Sequence, residues 1–141
     1  MSSLKNKVLS DQIKPHELRI GNIIYIPSTD QIADVSAISK IGVFVNDNII
    51  GFLPFDKIER LKLTNNVFKS LDLKFVGVET AFIYDRFKFI WKPSYNYWYV
   101  VDAEDSSYMT KIEDVHELQN FIFEMNREEI ITDRNLIKKI V

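Results

Sequence analysis

The chain is 141 residues long, 46% hydrophobic and 27% charged, with a formal charge of −2 and no cysteine. Such a chain is long enough for one domain, or for two small subdomains sharing a core, and too apolar to stay disordered. The missing cysteines exclude disulfides, thiolate zinc sites and cysteine nucleophiles, and the negative balance argues against a protein whose whole surface neutralises phosphates.

Residues 1–17 are polar, with Leu4, Val8 and Ile13 as scattered apolar positions, and read as an arm with at most a short helix. From Leu18 the pattern changes to short strands punctuated by turn residues. Gly21-Asn22 opens a first strand, Ile23 to Ile26, and Pro27 to Asp30 closes it. Gln31 to Ser39 alternates as a second strand; Val43 to Val45 forms a third. Asn46-Asp47-Asn48 predicts a tight hairpin into Ile49 to Leu53. One helical turn at Pro54 to Ile58 then precedes an extended Glu59 to Leu63. Five short strands with a single turn before the last is the order of an SH3-like small barrel over residues 18–63.

Residues 64–141 read as a linking helix, an antiparallel sheet and a covering helix. Thr64 caps a short helix, Asn65 to Leu71. Leu73 to Val78, Ala81 to Tyr84, Phe87 to Trp91 and Tyr97 to Val101 are apolar or aromatic runs of strand length. Thr110 to Met125 is the strongest helical signal, with Ile112, Val115, Leu118, Phe121, Ile122 and Met125 on one stripe. Thr110 with Glu113 reads as its capping box and Asn126 as its stop. Arg127 to Ile131 predicts a further short strand, and Asp133 caps a last helical turn through Leu136, Ile137 and Ile140. The expected fold class is α+β, one compact unit in which an SH3-like small β-barrel is followed by an antiparallel sheet covered by one amphipathic helix. No apolar run approaches the roughly 20 residues that span a bilayer, and the N-terminus lacks the apolar core of a signal peptide. The expectation is an intracellular protein.

The most unusual local composition is Trp91 to Tyr99, Trp-Lys-Pro-Ser-Tyr-Asn-Tyr-Trp-Tyr. Alternate strand residues face opposite ways, so Tyr97 and Tyr99 share a face while Trp98 points to the other. One aromatic face is available to the covering helix and the second is left for a partner. Lys88, Lys92, Tyr95, Tyr97 and Trp98 are the candidate partner-binding residues. Aromatics beside lysines stack on bases, anchor protein partners, or pack across strands for stability; all three readings stay open.

Other chemistry is thinly signalled. His116 lies at the edge of the helical stripe and Gln119 within it, with no serine, cysteine or paired acid at a recognisable spacing. A hydrogen bond from His116 or Gln119 to the sheet is therefore expected rather than acid–base work. Asp30 and Asp34, and Asp102 with Glu104 and Asp105, lack the glycine and terminal glutamate of a calcium loop and read as solvated acids. Gly21, Gly42, Gly51 and Gly77 are scattered, so no phosphate-cradling loop forms. Neither a metal, a cofactor nor an enzymatic activity is expected.

Glu17-Leu18-Arg19-Ile20-Gly21-Asn22, the stretch Leu53 to Thr64, and Val115-His116-Glu117-Leu118-Gln119-Asn120 together resemble a family of short uncharacterised proteins common in phages and prophages of Bacteroidetes-type bacteria. Where that family ends its helix on a Thr-Gly pair, this chain has Asn126-Arg127 and a longer tail. The resemblance implies a phage accessory protein acting in the infected bacterial cytoplasm or carried in the virion. With the residue reading, it sets three expectations: a non-enzymatic module that binds a phage or host protein; a nucleic-acid-binding small barrel; or a host-takeover or anti-defence inhibitor.

Overall fold

The computed structural model describes residues 12–45, 51–71, 73–77, 80–131 and 137. The predicted turn at Asn46 to Asn48, the start of the following strand and the Asp133 cap lie outside the described residues. The first sheet contains β1 (Ile23–Ile26), β2 (Gln31–Ile38), β3 (Gly42–Val45) and β4 (Phe52–Pro54), antiparallel and in that order. After a short helix α1 (Asn65–Ser70), the second sheet runs in sequence order through β5 (Lys74–Val76), β6 (Ala81–Tyr84), β7 (Phe87–Lys92), β8 (Tyr97–Asp102) and β9 (Tyr108–Ile112). Helix α2 (Val115–Asn126) follows. The class is α+β, two antiparallel sheets and one main helix. Among the described residues, no helix is long and apolar enough to cross a membrane.

Strand β1 explains how the two sheets share one molecule. Ile23, Ile24 and Ile26 are all buried, so the strand is covered on both faces. Ile24 and Ile26 enter a core with Ala33, Val35, Val43, Leu53, Phe55 and Ile58. Ile23, with Ile32, enters a second core built on the inner face of the second sheet and on α2. The segment read as a polar arm takes part: Ile13 is 1% exposed and belongs to the first of these cores. Gly42 sits where a Cβ would collide with backbone atoms of Leu53 and Pro54, so the β3–β4 approach requires glycine. An isolated bridge, Tyr25 with Glu59, brings the segment after β4 back beside β1.

Two expectations for the C-terminal half are corrected. The helix begins at Val115, because Tyr108 to Ile112 is strand β9, paired with β8. The capping box is Asp114 with Glu117, not Thr110 with Glu113. Ile112 and Val115 lie three apart and are both buried, which mimics helical spacing across a strand-to-helix junction. Arg127 to Ile131 is not a strand: Arg127 adopts φ +58° and ends the helix with its N–H donated to Phe123 O at 2.8 Å. Ile131 and Ile137 then return to the larger core.

Candidate binding surface

Register decides which aromatics face out. Trp91 opposes Trp98, Lys92 opposes Tyr97, Ile90 opposes Tyr99 and Phe89 opposes Val100, and opposed residues share a face. Trp98 is on the inner face and 1% exposed, its Nε1–H donating to Leu63 O at 3.0 Å. It packs edge-on to Phe68, 4.6 Å between ring centroids, while Phe68 stacks on Phe82 at 4.9 Å. Trp98 is thus removed from the partner-binding candidates: α1 and α2 cover this side of the sheet, and the indole is the largest side chain filling the space between.

The outer face carries Tyr97 and Tyr99 on β8, Tyr95 on the preceding turn and Tyr108 on β9. Tyr95 is 62% and Tyr108 60% exposed. The rings of Tyr95, Tyr97 and Tyr99 form a triangle with centroids 5.6, 5.2 and 6.5 Å apart, and Tyr108 meets Tyr99 edge-on at 5.5 Å. Lys111 Nζ lies 4.8 Å from the Tyr97 centroid and Lys92 Nζ 5.2 Å from that of Tyr99, within cation–π range. Tyr97 donates its hydroxyl to that of Tyr99 at 3.2 Å. That hydrogen bond, with burial and the surrounding phenols, pushes the Tyr97 phenol up to about 12. The Tyr97 phenol therefore stays neutral around pH 7.

Further along the same face, Lys74 opposes Ile83, Ile83 opposes Lys88 and Lys88 opposes Val101. The charged side chains at outward strand positions of this sheet are thus Lys74, Lys88, Lys92 and Lys111, with no acid among them. Lys62 adds a cation at the β7–β8 turn, donating to Asn96 O at 3.0 Å. Asp85, Glu104 and Asp105 sit in the turns at the opposite end of the strands, where Asp102 ends β8 opposite Phe87 on the inner face. There Asp102 accepts the N–H groups of Glu104 and Asp105 at 2.8 and 3.2 Å, and Asp105 that of Ser107 at 2.9 Å. These acids organise a loop, as local side-chain caps do.

No family model, curated protein or solved structure matches this chain.

Of the residues singled out in sequence, Lys88, Lys92, Tyr95 and Tyr97 fall on one face and Trp98 on the other. Lys74, Tyr99, Tyr108 and Lys111 complete the surface. Lys111 is hidden in the sequence because periodicity merges Thr110 to Ile112 of β9 into the helix, and Tyr108 because it precedes that stretch with no strand pattern of its own; only pairing with β8 puts Lys111 opposite Tyr99.

Gln119 makes the hydrogen bonds expected of the helix, accepting Ile23 N–H at 2.8 Å and donating to Gly21 O at 3.0 Å. Asn120 donates to Glu17 O and accepts from Asn22 Nδ2, both at 2.8 Å. His116 makes no hydrogen bond to the sheet; its Nε2 lies 3.5 Å from Glu17 Oε1, the carboxylate it helps to keep ionised. Arg60 Nη2 donates to both oxygens of Glu17, at 2.8 and 2.9 Å, and Arg60 Nε lies 3.3 Å from Asp114. Burial pulls the Glu17 carboxyl up, but His116, Lys14 N–H and Arg60 outweigh it and hold the group at about 2. Asp114 goes the other way: burial and the Glu117 carboxylate push it up to about 8 against the pull of Arg60. Asp30 accepts the Tyr25 hydroxyl at 2.5 Å. Among the described residues, no group of three or more His, Asp or Glu is placed to hold a metal ion.

Proposed function

We propose that this chain is a non-enzymatic binding module whose second sheet holds single-stranded nucleic acid across its outer face. One observation carries the reading. In a protein of net charge −2, the charged outward strand positions of one sheet are four lysines, on the face that carries four tyrosines, and two of them, Lys92 and Lys111, lie beside Tyr99 and Tyr97. Segregated cations attract a polyanion to that face in spite of the overall charge, and tyrosine rings offer sequence-tolerant stacking to unpaired bases. The first sheet has four strands, and Glu59, expected in a fifth, meets it only in an isolated bridge to Tyr25; in this proposal the sheet serves as an SH3-like brace for β1 and the helix. With the resemblance to phage proteins, the reading is of an accessory protein that handles single strands in the infected cell or virion.

Fluorescence anisotropy with labelled single-stranded DNA and RNA tests it. Binding at about 50 mM salt that falls steeply by about 200 mM is the expected result, since released counterions dominate such affinity. Absence of binding at the lower salt defeats the reading.

A protein partner is the second reading, favoured by the tyrosine triangle. Its rings already lie against one another and under two lysine ammonium groups, which leaves edges and hydroxyls for contact, as at tyrosine-rich interfaces. A phage component or an inhibited host protein fits that reading. Nuclease-resistant copurification with one such protein, together with no salt-dependent oligonucleotide binding, would decide for it.

A further inference from the structure

A cleft separate from the tyrosine face lies between β9, α2 and the Pro15–Glu17 turn, with a volume of about 280 Å³. Glu17, Thr110, His116, Glu117, Phe121 and Glu124 are among its walls, and Lys111 borders both surfaces. His116 is 1% exposed, yet its Nδ1 has no hydrogen-bond partner. Buried polar atoms are almost always satisfied, so an orphan imidazole on the wall of a cleft points to a missing partner.

The surrounding groups define that partner's chemistry. Nε2 faces the Glu17 carboxylate at 3.5 Å, which leaves Nδ1 as the ring nitrogen without a partner. Glu17 is already clamped by Arg60. Glu117 uses Oε1 for the N–H groups of Glu113 and Asp114, at 3.0 and 3.1 Å, which leaves Oε2. With Glu17 offset by Arg60, Glu117 and Glu124 stand against one ammonium and leave the lining negative, and that ammonium, on Lys111, sits over the Tyr97 ring. The unmet capacity is therefore for donors and positive charge. A guanidinium supplies both, with five N–H donors, no acceptor, and a flat face for a ring such as Phe121. Among the described residues β9 pairs with β8 alone, so its second edge can take an added strand beside the cleft.

We propose that this cleft is a guanidinium-binding site, fitted to an arginine side chain on an extended segment laid along the free edge of β9. It is independent of nucleic-acid binding on the outer face, where the charge is of opposite sign.

Titration of the ¹⁵N-labelled full chain, following the His116 ring nitrogens by NMR, tests the site. Nα-acetyl-arginine amide is expected to give a saturable shift by about 10 mM, the affinity range of a single charged group. The lysine analogue is expected to bind more weakly and sodium acetate not at all. Glu124→Gln should weaken the arginine ligand about tenfold, the worth of one charge-assisted hydrogen bond. Tighter binding of a Val-Arg-Thr peptide identifies a protein segment as the source, and equal binding a free guanidinium compound; the cleft stands in either case. No saturable shift with the arginine ligand, an equal response to acetate, or an unchanged affinity in Glu124→Gln overturns it.

Discussion

Single residues show how far a side chain's role depends on what lies behind it. Trp98 and Tyr97 are adjacent, yet one fills the core and the other the surface. Trp98→Ala is expected to cost about 3–5 kcal/mol, the range for a buried large aromatic, and it also strands Leu63 O; urea denaturation measures this. Tyr95→Ala, at an exposed site, should stay within about 0.5 kcal/mol, which makes it the proper variant for testing the surface. Gln119 is the residue-scale link between α2 and the first sheet. Replacing it by alanine leaves Ile23 N–H and Gly21 O without partners, and a loss of about 1–3 kcal/mol is expected in the same assay.

At the scale of elements, α2 shows how a true signal can misplace a boundary. Val115, Leu118 and Ile122 are buried as the period-3.6 stripe predicts. The stripe extends backwards to Ile112 only because β9 delivers that residue to the same core. At its other end the helix stops on Arg127 in the left-handed region, at φ +58°, where an L side chain is disfavoured and glycine is not. Arg127→Gly is expected to raise stability by about 0.5–1 kcal/mol, net of the long cation–π contact to Phe123, and thermal denaturation reads the sign directly.

For the whole molecule, charge is sorted into faces and clamps that cross between elements. If the lysine face binds a single strand, replacing Lys92 and Lys111 together by alanine should reduce the slope of log affinity against log salt by about 1.4, about 0.7 for each phosphate no longer neutralised. A slope unchanged in that variant would place the phosphates elsewhere. The Glu17–Arg60–Asp114 network joins the N-terminal turn, the segment before α1 and the start of α2. The Glu17 pKa, held at about 2 against an ordinary 4.5, adds stability that is complete above pH 4.5 and is lost as pH falls from 4.5 toward 2. Glu17→Gln should therefore lower the melting temperature at neutral pH and flatten its fall across that acid window.

The α+β class, most strand positions and the opposed facing of Tyr97 and Trp98 followed from alternation and turn residues, because those signals are local and repeat within a few residues. What pairing alone decided was β9, and with it Lys111 opposite Tyr99, since a strand between two helix-like spacings carries no local mark of its own. Burial of Trp98 rather than Tyr97 was likewise settled at long range, by where α1 and α2 come to rest. The orphan state of His116 and the two-sided burial of β1 arise only when Glu17, β9 and the helix converge. A linear pattern of apolar and polar residues records periodicity, not which distant segment arrives on each face.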